Sequence, residues 1–347
     1  MYRHAEALRS IPFIQPVTEG EVRPRWSVMI PIYNRKTYVE QAIRSVLAQD
    51  PGPQAMQIEV VDDCSPGEDL EPLVRHVGGG RVAFYRQPRN LGLSGNWTSC
   101  IQRATGRLVH ILHDDDTVLP GFYARMEAAF ECEPAIGAAF CRHIFMDQDG
   151  HWLSLSPLEQ KSPGILPGWI ERIGHTQAIQ FPAIAVRRTV YEALGGFHPE
   201  LFYAVDWEMW KRIAAHYPVW YEPQLLACFR QHPVSQSVSL QRAGANLQGD
   251  ILKAIDISKS YLPPESAARL SEKARENYAM FALARAHRSA VDGDWAASMG
   301  AVREAVQYRT SSRVAGYLVL FLLWAGACLA WRSACAVVRL LTFNGRP

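Results

Sequence analysis

Strand-like and helix-like segments alternate from residue 26 to residue 112, and this alternation restricts the possible folds more than any other feature of the chain. Short apolar runs typical of buried strands lie at Trp26–Pro31, Gln57–Asp63, Arg81–Arg86 and Arg107–Leu112. Between the first two runs, the apolar residues of Thr37–Gln49 recur at helical spacing and form one stripe. Such alternation predicts βαβ units, so we expect an α/β fold with a mainly parallel sheet and flanking helices.

Acidic residues follow two of these predicted strands. The run "VVDD" ends in Asp62 and Asp63, and "HDDDTVLP" places Asp114, Asp115 and Asp116 directly after the fourth strand. Ligands of parallel α/β sheets bind beyond the carboxyl ends of the strands, which makes this edge the expected ligand site. A carboxylate of the first pair could accept hydrogen bonds from a nucleobase or a ribose, or it could simply begin a turn.

The three adjacent aspartates have two explanations. A solvated turn is the simpler one, because acids are common there. At the exit of a buried strand, however, neighbouring carboxylates raise one another's pKa and destabilise the fold unless a positive charge lies near. A divalent cation would meet this need, since carboxylates completed by phosphate oxygens and water suit Mg²⁺ or Mn²⁺. A nucleoside diphosphate would supply such phosphates.

Composition excludes several classes of protein. The 347 residues are 48% hydrophobic and 20% charged, as in globular proteins, and a formal net charge of +2 predicts no nucleic-acid partner. The seven cysteines never form C-x-x-C, which argues against a zinc site or a disulfide framework. The first 25 residues include Arg3, Glu6 and Arg9 and lack the apolar core of a signal peptide, so we expect a cytoplasmic catalytic region.

Beyond Ser235 the pattern becomes helical. Gln241–Tyr308 contains no obvious strand, and "DGDW" (Asp292–Trp295) separates two helical stretches like the corner of a helical hairpin. Val314–Trp331 follows with 18 uncharged residues, about 27 Å as a helix, with arginines on both sides. We expect membrane contact here, through a helix that spans the bilayer or lies in its plane; a buried core helix is the alternative.

Five segments in this order resemble glycosyltransferase family two, the inverting enzymes with the type A nucleotide-diphospho-sugar transferase fold. The segments are "SVMIPIYNRKTYVEQAIRSVLAQ", "EVVDDCSPGED", "RNLGLSGNWTSCIQRATGRLVHILHDDDTVLPGF", "LGGFHPELFYAVDWEMWKRIA" and "LLACFRQHPVSQS". The resemblance covers Arg25–Ser237, about 60% of the chain. It implies a Rossmann-like α/β fold of type A, followed here by a C-terminal helical region.

The resemblance implies a donor site at the strand ends. The "PIYN" loop matches the loop that lies against the nucleotide, so Pro31 and Tyr33 are expected donor contacts. Asp63 matches the position that reads the nucleobase, and Asp114 matches the residue beside the ribose. Arg230, in "FRQHP", matches a segment that closes over the diphosphate.

The resemblance also implies a metal site in the Asp-x-Asp region. Asp115 falls on the main metal-ligand position, whereas His113 stands where the first aspartate is usual. That departure leaves fewer ligands, so Asp116 or His232 would complete the shell around Mn²⁺ or Mg²⁺. On its own, a loop histidine such as His232 would be taken as solvated.

Asp206 is the expected general base. The run "VDWEMW" resembles the family's Glu-Asp motif, with Val205 in the glutamate position and Asp206 retained. In inverting transfer an acceptor hydroxyl attacks the anomeric carbon while the nucleoside diphosphate departs, and a carboxylate takes the hydroxyl proton. Without the resemblance, Asp206 would be interpreted as a helix N-terminal acid favoured by the helix dipole.

Together these observations predict four regions and one activity. The regions are an N-terminal extension (1–24), a catalytic domain (25–237), a helical region (238–308) and a basic-flanked membrane-associating helix (309–347). The activity is transfer of one sugar from a UDP- or dTDP-type donor to a glycan or lipid-linked acceptor, in surface polysaccharide assembly at the cytoplasmic membrane.

Two other functions stay open at this point. The first is a catalytically silent scaffold subunit that binds nucleotide sugars, because His113 and Val205 depart from the family pattern. The second is a nucleotidyltransferase, although "PIYNRK" lacks the glycine that such enzymes carry near the first strand.

Overall fold

The computed structural model describes residues 10–18, 23–67 and 69–343, and the chain divides into two compact units after Ala267. In the described part, the first unit contains a ten-stranded sheet. Its strands are β1 Trp26–Ile32, β2 Met56–Asp62, β3 Ala83–Arg86, β4 Leu108–Ile111, β5 Thr117–Val118, β6 Ala138–Met146, β7 Trp152–Leu155, β8 Gly164–Ile165, β9 Ile184–Arg187 and β10 Val219–Arg230.

In the described part of the chain, helices separate and follow these strands. They are α1 Val39–Leu47, α2 Glu71–Gly78, α3 Gly92–Arg103, α4 Phe122–Cys132, α5 Trp169–Ile173, α6 Arg188–Leu194, α7 Val205–His216, α8 Gln236–Arg242, α9 Leu247–Ser258, α10 Pro264–Val291, α11 Trp295–Tyr308 and α12 Ser312–Phe343. A 3₁₀ turn covers Phe181–Ala183. The four strands predicted before residue 113 are confirmed as β1 to β4, with ends that differ by at most two residues.

The sheet has the order β3-β2-β1-β4-β9-β6-β10-β5, with β7 paired to β6 and β8 paired to β10. The long ladders are parallel: β1 pairs with β2 and β4, β2 with β3, and β6 with β10. The antiparallel pairings join only two or three residues each. The prediction of a mainly parallel sheet is therefore confirmed, and the antiparallel strands all lie after β4.

Strand β1 lies in the interior of the sheet, between β2 and β4, and every one of its residues is buried. Helix α1 packs its predicted stripe (Val39, Ala42, Ile43 and Val46, all fully buried) into a core that also contains apolar residues of α2 and α4. Gly106 leads the chain into β4, where an added Cβ would lie 2.5 Å from the Trp26 carbonyl carbon. Only a residue without a side chain allows so close an approach to β1.

Residues 10–18 pack within the first unit. The Gly196 N–H donates to the Pro12 carbonyl at 2.8 Å, and Ile14 is fully buried. The Arg188 guanidinium donates to the Gln15 carbonyl at 3.1 Å. These contacts tie the described part of the predicted N-terminal extension to α6; the four-region division of the chain stays a prediction.

The second unit is helical. Helix α11 begins at Trp295, the last residue of the predicted "DGDW" corner, and the Asp294 carboxylate caps it by accepting the Ala297 N–H at 2.9 Å. The Ser298 hydroxyl donates to the Ala286 carbonyl of α10 at 2.8 Å, so the two helices are in contact.

Helix α12 contains the predicted membrane segment Val314–Trp331. The side chains of residues 328–331 lie outside the described part of the structure. Among the residues that are described, no helix combines enough length with enough apolar character to cross a membrane.

Candidate active site

A cavity of about 1340 Å³ lies beyond the carboxyl ends of β1, β2 and β4. Eight of the nine predicted site residues line it: Pro31, Tyr33, Asp63, Asp114, Asp115, Asp206, Arg230 and His232. The ninth, Asp116, has no exposed surface and does not contribute to the lining. Residues that are up to 201 positions apart in the sequence (Pro31 and His232) therefore meet at one edge of the sheet.

The acidic run after β4 is paired with Arg35, which the sequence analysis did not single out. The Arg35 guanidinium donates to both Asp114 oxygens, at 2.6 and 3.1 Å, and to Asp115 Oδ2 at 2.8 Å. The same Asp115 oxygen lies 3.0 Å from His232 Nε2. One guanidinium and one imidazole thus hold the two carboxylates, and crowding of the aspartates by itself does not require a cation.

The surroundings shift the pKa values of the two carboxyl groups in opposite directions. Burial, together with the adjacent charge of Asp115, raises the pKa of Asp114. Burial would also raise the pKa of Asp115, but the hydrogen bond from His232 and the charge of Arg35 outweigh it and lower that pKa. Asp115 is therefore the member of the pair that stays ionised most readily.

His113, Asp115 and Asp116 form a set of possible metal ligands, because one ligand atom from each lies within 4.8 Å of the others. His113 Nε2 and Asp116 Oδ2 are buried and have no hydrogen-bond partner among the described residues. Burial lowers the pKa of His113 to about 4, so its ring is neutral at pH 7 and its nitrogens can bind a cation. Two carboxylates and one imidazole fit Mn²⁺, and the carboxylates also suit Mg²⁺.

This set differs from the predicted one in its histidine. His113 interrupts the expected Asp-x-Asp pattern, yet its ring nitrogen is grouped with both aspartates, and its ring stacks on Trp97 and Phe181 at 4.9 and 4.3 Å between centroids. His232 contacts Asp115 through Nε2 and packs on Tyr38. Its role as a ligand stays a prediction, as do those of Asp115 and Asp116.

Arg230 is bonded to the protein through every part of its guanidinium. Nε donates to the Asp115 carbonyl at 2.8 Å, Nη2 to Gln41 Oε1 at 2.7 Å, and Nη1 to the Gln148 carbonyl at 3.1 Å. Its backbone N–H donates to Asp116 Oδ1 at 2.9 Å. This geometry holds β10 against the acidic run, and the predicted contact of Arg230 with the donor diphosphate stays a prediction.

The two aspartates after β2 have different environments. Asp62 is fully buried, accepts the Ser65 N–H at 3.2 Å and pairs with Arg86 at 3.5 Å, so it organises the turn. Asp63 lines the cavity and accepts the Leu91 N–H through Oδ1 at 2.7 Å. Burial raises the pKa of Asp63 above its ordinary value. Of the pair, only Asp63 faces the cavity, as the prediction of a nucleobase contact requires.

Asp206 lies in the first turn of α7 and lines the cavity. Its Oδ1 accepts the Trp207 N–H at 2.6 Å, and its Oδ2 accepts the side-chain amide of Gln177 at 2.6 Å. Burial raises the pKa of Asp206 to about 6 even though both hydrogen bonds favour the ionised form. A carboxyl group with this pKa is largely ionised at pH 7 and still basic enough to accept a proton.

Asp250, in α9, fixes the residues that precede Asp206. Its buried carboxylate accepts the backbone N–H groups of Phe202, Tyr203 and Ala204 at 3.1, 2.9 and 2.8 Å. These N–H groups belong to the segment that leads into α7, up to its N-cap residue Ala204. A side chain 44 residues downstream thus fixes the entry to the helix that carries Asp206.

Sequence reasoning missed Arg35, Gln177 and Asp250. Arg35 had a usable signal, since it follows "PIYN" at the carboxyl end of β1, close to where the acidic run must lie. Gln177 and Asp250 follow or precede no recognisable motif, and nothing in their immediate sequence indicates their partners.

Comparison with known proteins gives a family and a fold. Residues 27–195 match the sequence profile of glycosyl transferase family 2. An uncharacterized protein of Mycobacterium tuberculosis is 28% identical over 247 residues, which cover 67% of this chain and 75% of that protein. The GalNAc(5)-diNAcBac-PP-undecaprenol beta-1,3-glucosyltransferase of Campylobacter jejuni is 33% identical over 101 residues, 28% of this chain and 32% of that enzyme. The match thus spans about a third of the Campylobacter enzyme's length.

Two solved structures share the fold. S. aureus TarS 1-349 in complex with UDP has a TM-score of 0.58 at 13% identity, covering 82% of this chain and 92% of that chain. The mannosyltransferase PcManGT from Pyrobaculum calidifontis, in complex with GDP-Man and Mn²⁺, has a TM-score of 0.56 at 19% identity, covering 95% and 86%. At these identities the likeness establishes the fold, and it confirms the type A architecture expected from the sequence.

Proposed function

The chain belongs to glycosyl transferase family 2 through residues 27–195, and on this premise we propose that it is an inverting glycosyltransferase that moves one sugar from a nucleoside diphosphate to an acceptor hydroxyl. The observation that carries the proposal is the shared cavity, because Asp206 and Asp115 both line it. Its volume of about 1340 Å³ exceeds that of a drug-sized ligand site and would hold a nucleotide sugar together with an acceptor hydroxyl.

In this proposal Asp206 accepts the proton of the attacking hydroxyl. Its pKa of about 6 makes it the base at neutral pH, and the Gln177 amide, 2.6 Å from Oδ2, orients the carboxylate. The opposite side of the reaction needs positive charge where the diphosphate leaves. A divalent cation, when bound, would supply charge neutralisation there, and His113, Asp115 and Asp116 would hold it.

The donor we propose is a UDP- or dTDP-type sugar. TarS was solved with UDP, and PcManGT with GDP-Man and Mn²⁺, so proteins of this fold bind nucleoside diphosphates. In this chain Asp63 lines the cavity and accepts the Leu91 N–H through Oδ1. A carboxylate has several acceptor sites, and one of them would accept the imide N–H of uracil or thymine. Pro31 and Tyr33, in the loop after β1, would line the nucleotide.

We propose a glycan or lipid-linked acceptor at the cytoplasmic face of a membrane, in surface polysaccharide assembly. The printed name of the Campylobacter relative includes a PP-undecaprenol carrier. Helix α12 exposes Val319, Leu320 and Leu323, each by more than half, and such a surface would pack into lipid headgroups. Failure of the full chain to sediment with phosphatidylglycerol vesicles would remove the membrane part of the proposal.

Nucleotide release from a panel of UDP- and dTDP-sugars, with and without Mn²⁺, tests the activity. We expect Mn²⁺-dependent release of the nucleoside diphosphate. Asp206→Asn should lower the transfer rate by about 10² to 10⁴ and keep UDP affinity, as for a lost general base. Asp115→Ala should weaken Mn²⁺-dependent UDP binding.

The same experiment separates the alternatives. A silent scaffold subunit would bind the nucleotide with no turnover under any condition. A nucleotidyltransferase would release no nucleoside diphosphate from a nucleotide sugar, but it would release pyrophosphate when given a nucleoside triphosphate and a sugar phosphate. Equal loss of UDP affinity and transfer in Asp206→Asn would contradict its role as the base.

A further inference from the structure

Arg35 contacts the residues that are proposed to bind both the cation and the donor. It follows β1 in the loop that lines the cavity, and its side chain is 24% exposed there. It makes three hydrogen bonds to Asp114 and Asp115, the two carboxylates that follow β4. A guanidinium in this position offsets one of the two negative charges that would otherwise attract a cation.

Arg35 and a cation would compete for the same atoms. Asp115 Oδ2 already accepts from Arg35 Nη1 and from His232 Nε2, so a metal ion that took this oxygen would replace a donor. If the ion used only the other oxygen of Asp115, it would still lie within a few ångströms of the positive guanidinium. In both cases the ion pair weakens binding of a cation that arrives alone.

A nucleoside diphosphate removes this competition. The guanidinium is a planar fork that bonds phosphate oxygens as well as it bonds carboxylates. Arg35 lies on the cavity wall and is partly exposed, so a change of side-chain torsions would bring it to a diphosphate in the cavity. That movement would release Asp115 to the cation.

We infer that Arg35 is an internal counterion of the Asp114–Asp115 pair that opposes binding of the divalent cation alone and transfers to the diphosphate of the donor. Cation and nucleotide then bind cooperatively, each raising the affinity for the other by the same factor. This inference rests on the proposed function, because it assumes a metal-assisted site for a nucleoside diphosphate.

Calorimetric titration of the full chain with MnCl₂, in the absence and presence of UDP, tests the inference without measuring transfer. In the wild type we expect weak binding of Mn²⁺ alone and at least tenfold tighter binding with UDP, within the usual range of coupling between sites. Arg35→Gln should bind Mn²⁺ alone at least tenfold more tightly than the wild type and should lose most of the UDP effect. General damage to the site would lower the affinity for Mn²⁺, so a higher affinity in Arg35→Gln would point to the loss of the guanidinium charge.

Lys36→Gln is the matched control, because it removes the same charge from the next residue, which also lines the cavity. We expect it to keep the wild-type coupling between Mn²⁺ and UDP. Arg35→Lys, which keeps the charge and gives up the fork, should fall between the wild type and Arg35→Gln and provides a second test if the glutamine variant does not fold. Circular dichroism of each variant identifies that case.

Three results would overturn the inference. Unchanged or weaker binding of Mn²⁺ alone by Arg35→Gln, and by Arg35→Lys, refutes the competition while leaving the metal-assisted transferase intact. An equal gain in Lys36→Gln would show that only the net charge of the cavity matters. Absence of Mn²⁺ binding in every protein, even with UDP, would refute the inference and the metal part of the proposed function together.

Discussion

The hydrogen bond from Gln177 to Asp206 gives a quantitative prediction for the pH dependence of transfer. Burial raises the pKa of Asp206 to about 6 in the presence of this bond, which is 2.6 Å long. As a base, Asp206 must be ionised, so the rate should rise with pH through a midpoint near 6. About a tenth of the molecules are active at pH 5 and about nine tenths at pH 7.

Gln177→Leu removes the donor and keeps the approximate size of the side chain. A hydrogen bond to a charged group contributes about 1.5–3 kcal/mol, equivalent to about one to two pKa units. Because the bond favours the ionised carboxylate, its loss raises the pKa of Asp206 and moves the midpoint to about 7–8. The rate at pH 7 should fall by about twofold to tenfold, and the rate at pH 9 should stay close to that of the wild type.

The assay is the rate of nucleotide release at saturating donor from pH 4.5 to 9.5. Gln180→Leu is the control. This glutamine follows Gln177 by three residues and lines the cavity that Asp206 lines, and in the described structure it donates no hydrogen bond to Asp206. It should leave the midpoint at its wild-type position, whatever it does to the rate. If Gln177→Leu leaves the midpoint unchanged or moves it to lower pH, the fall in rate at acidic pH reflects the titration of a group other than Asp206.

Two further predictions concern the framework of the site. In a urea titration, Asp250→Ala should lower the free energy of unfolding by about 3 kcal/mol, since three backbone N–H groups, one of them buried, lose their shared acceptor. It should also lower kcat by about tenfold. Asp256→Ala, on the surface of the same helix, should change the free energy of unfolding by less than about 0.5 kcal/mol. Gly106→Ala should destabilise the chain by about 1–3 kcal/mol, because the new methyl group meets backbone atoms of β1 at 2.5–2.8 Å. Gly300→Ala, on an exposed helical surface with no atom within 4 Å, should instead stabilise it by about 0.5–1 kcal/mol. Equal effects from the two members of either pair would contradict the stated causes.

Much of the fold is predictable because its signals are local. The apolar stripe of α1 and the buried runs of β1, β2 and β4 appear in consecutive residues, and each predicted element is present in the structure. The acids at the ends of β2 and β4 are predictable for the same reason, since the carboxyl ends of parallel neighbours lie at one edge. The short strands β5, β7, β8 and β9 were not predicted, because strands of two to four residues leave little periodic pattern.

The partners of the site residues could not be predicted in the same way. Arg35 and Asp114 are separated by 79 positions, Gln177 and Asp206 by 29, and Asp250 and Ala204 by 46. A polar side chain that bonds at such a distance leaves no periodicity in the sequence around it. Chain entropy and packing decide whether the two groups meet.

The roles of individual site residues were also ambiguous from the sequence. His113 suggested a weakened metal site, yet its ring nitrogen lies with Asp115 and Asp116. Arg230 suggested a donor contact, yet its guanidinium is bonded to protein oxygens on all sides. The roles of these residues stay predictions until metal and nucleotide binding are measured.

The amino-acid order alone determined the α/β architecture, the edge of the sheet at which ligands gather, and the aspartates that face it. These features could be predicted because strand ends and apolar periodicity depend on residues that are close together in the sequence. Only the folded chain decided that Arg35 pairs with two of those aspartates and that Gln177 and Asp250 hold Asp206 and the turn before it. Hydrogen bonds and ion pairs depend on separations of about 3 Å, which arise only after distant segments have packed.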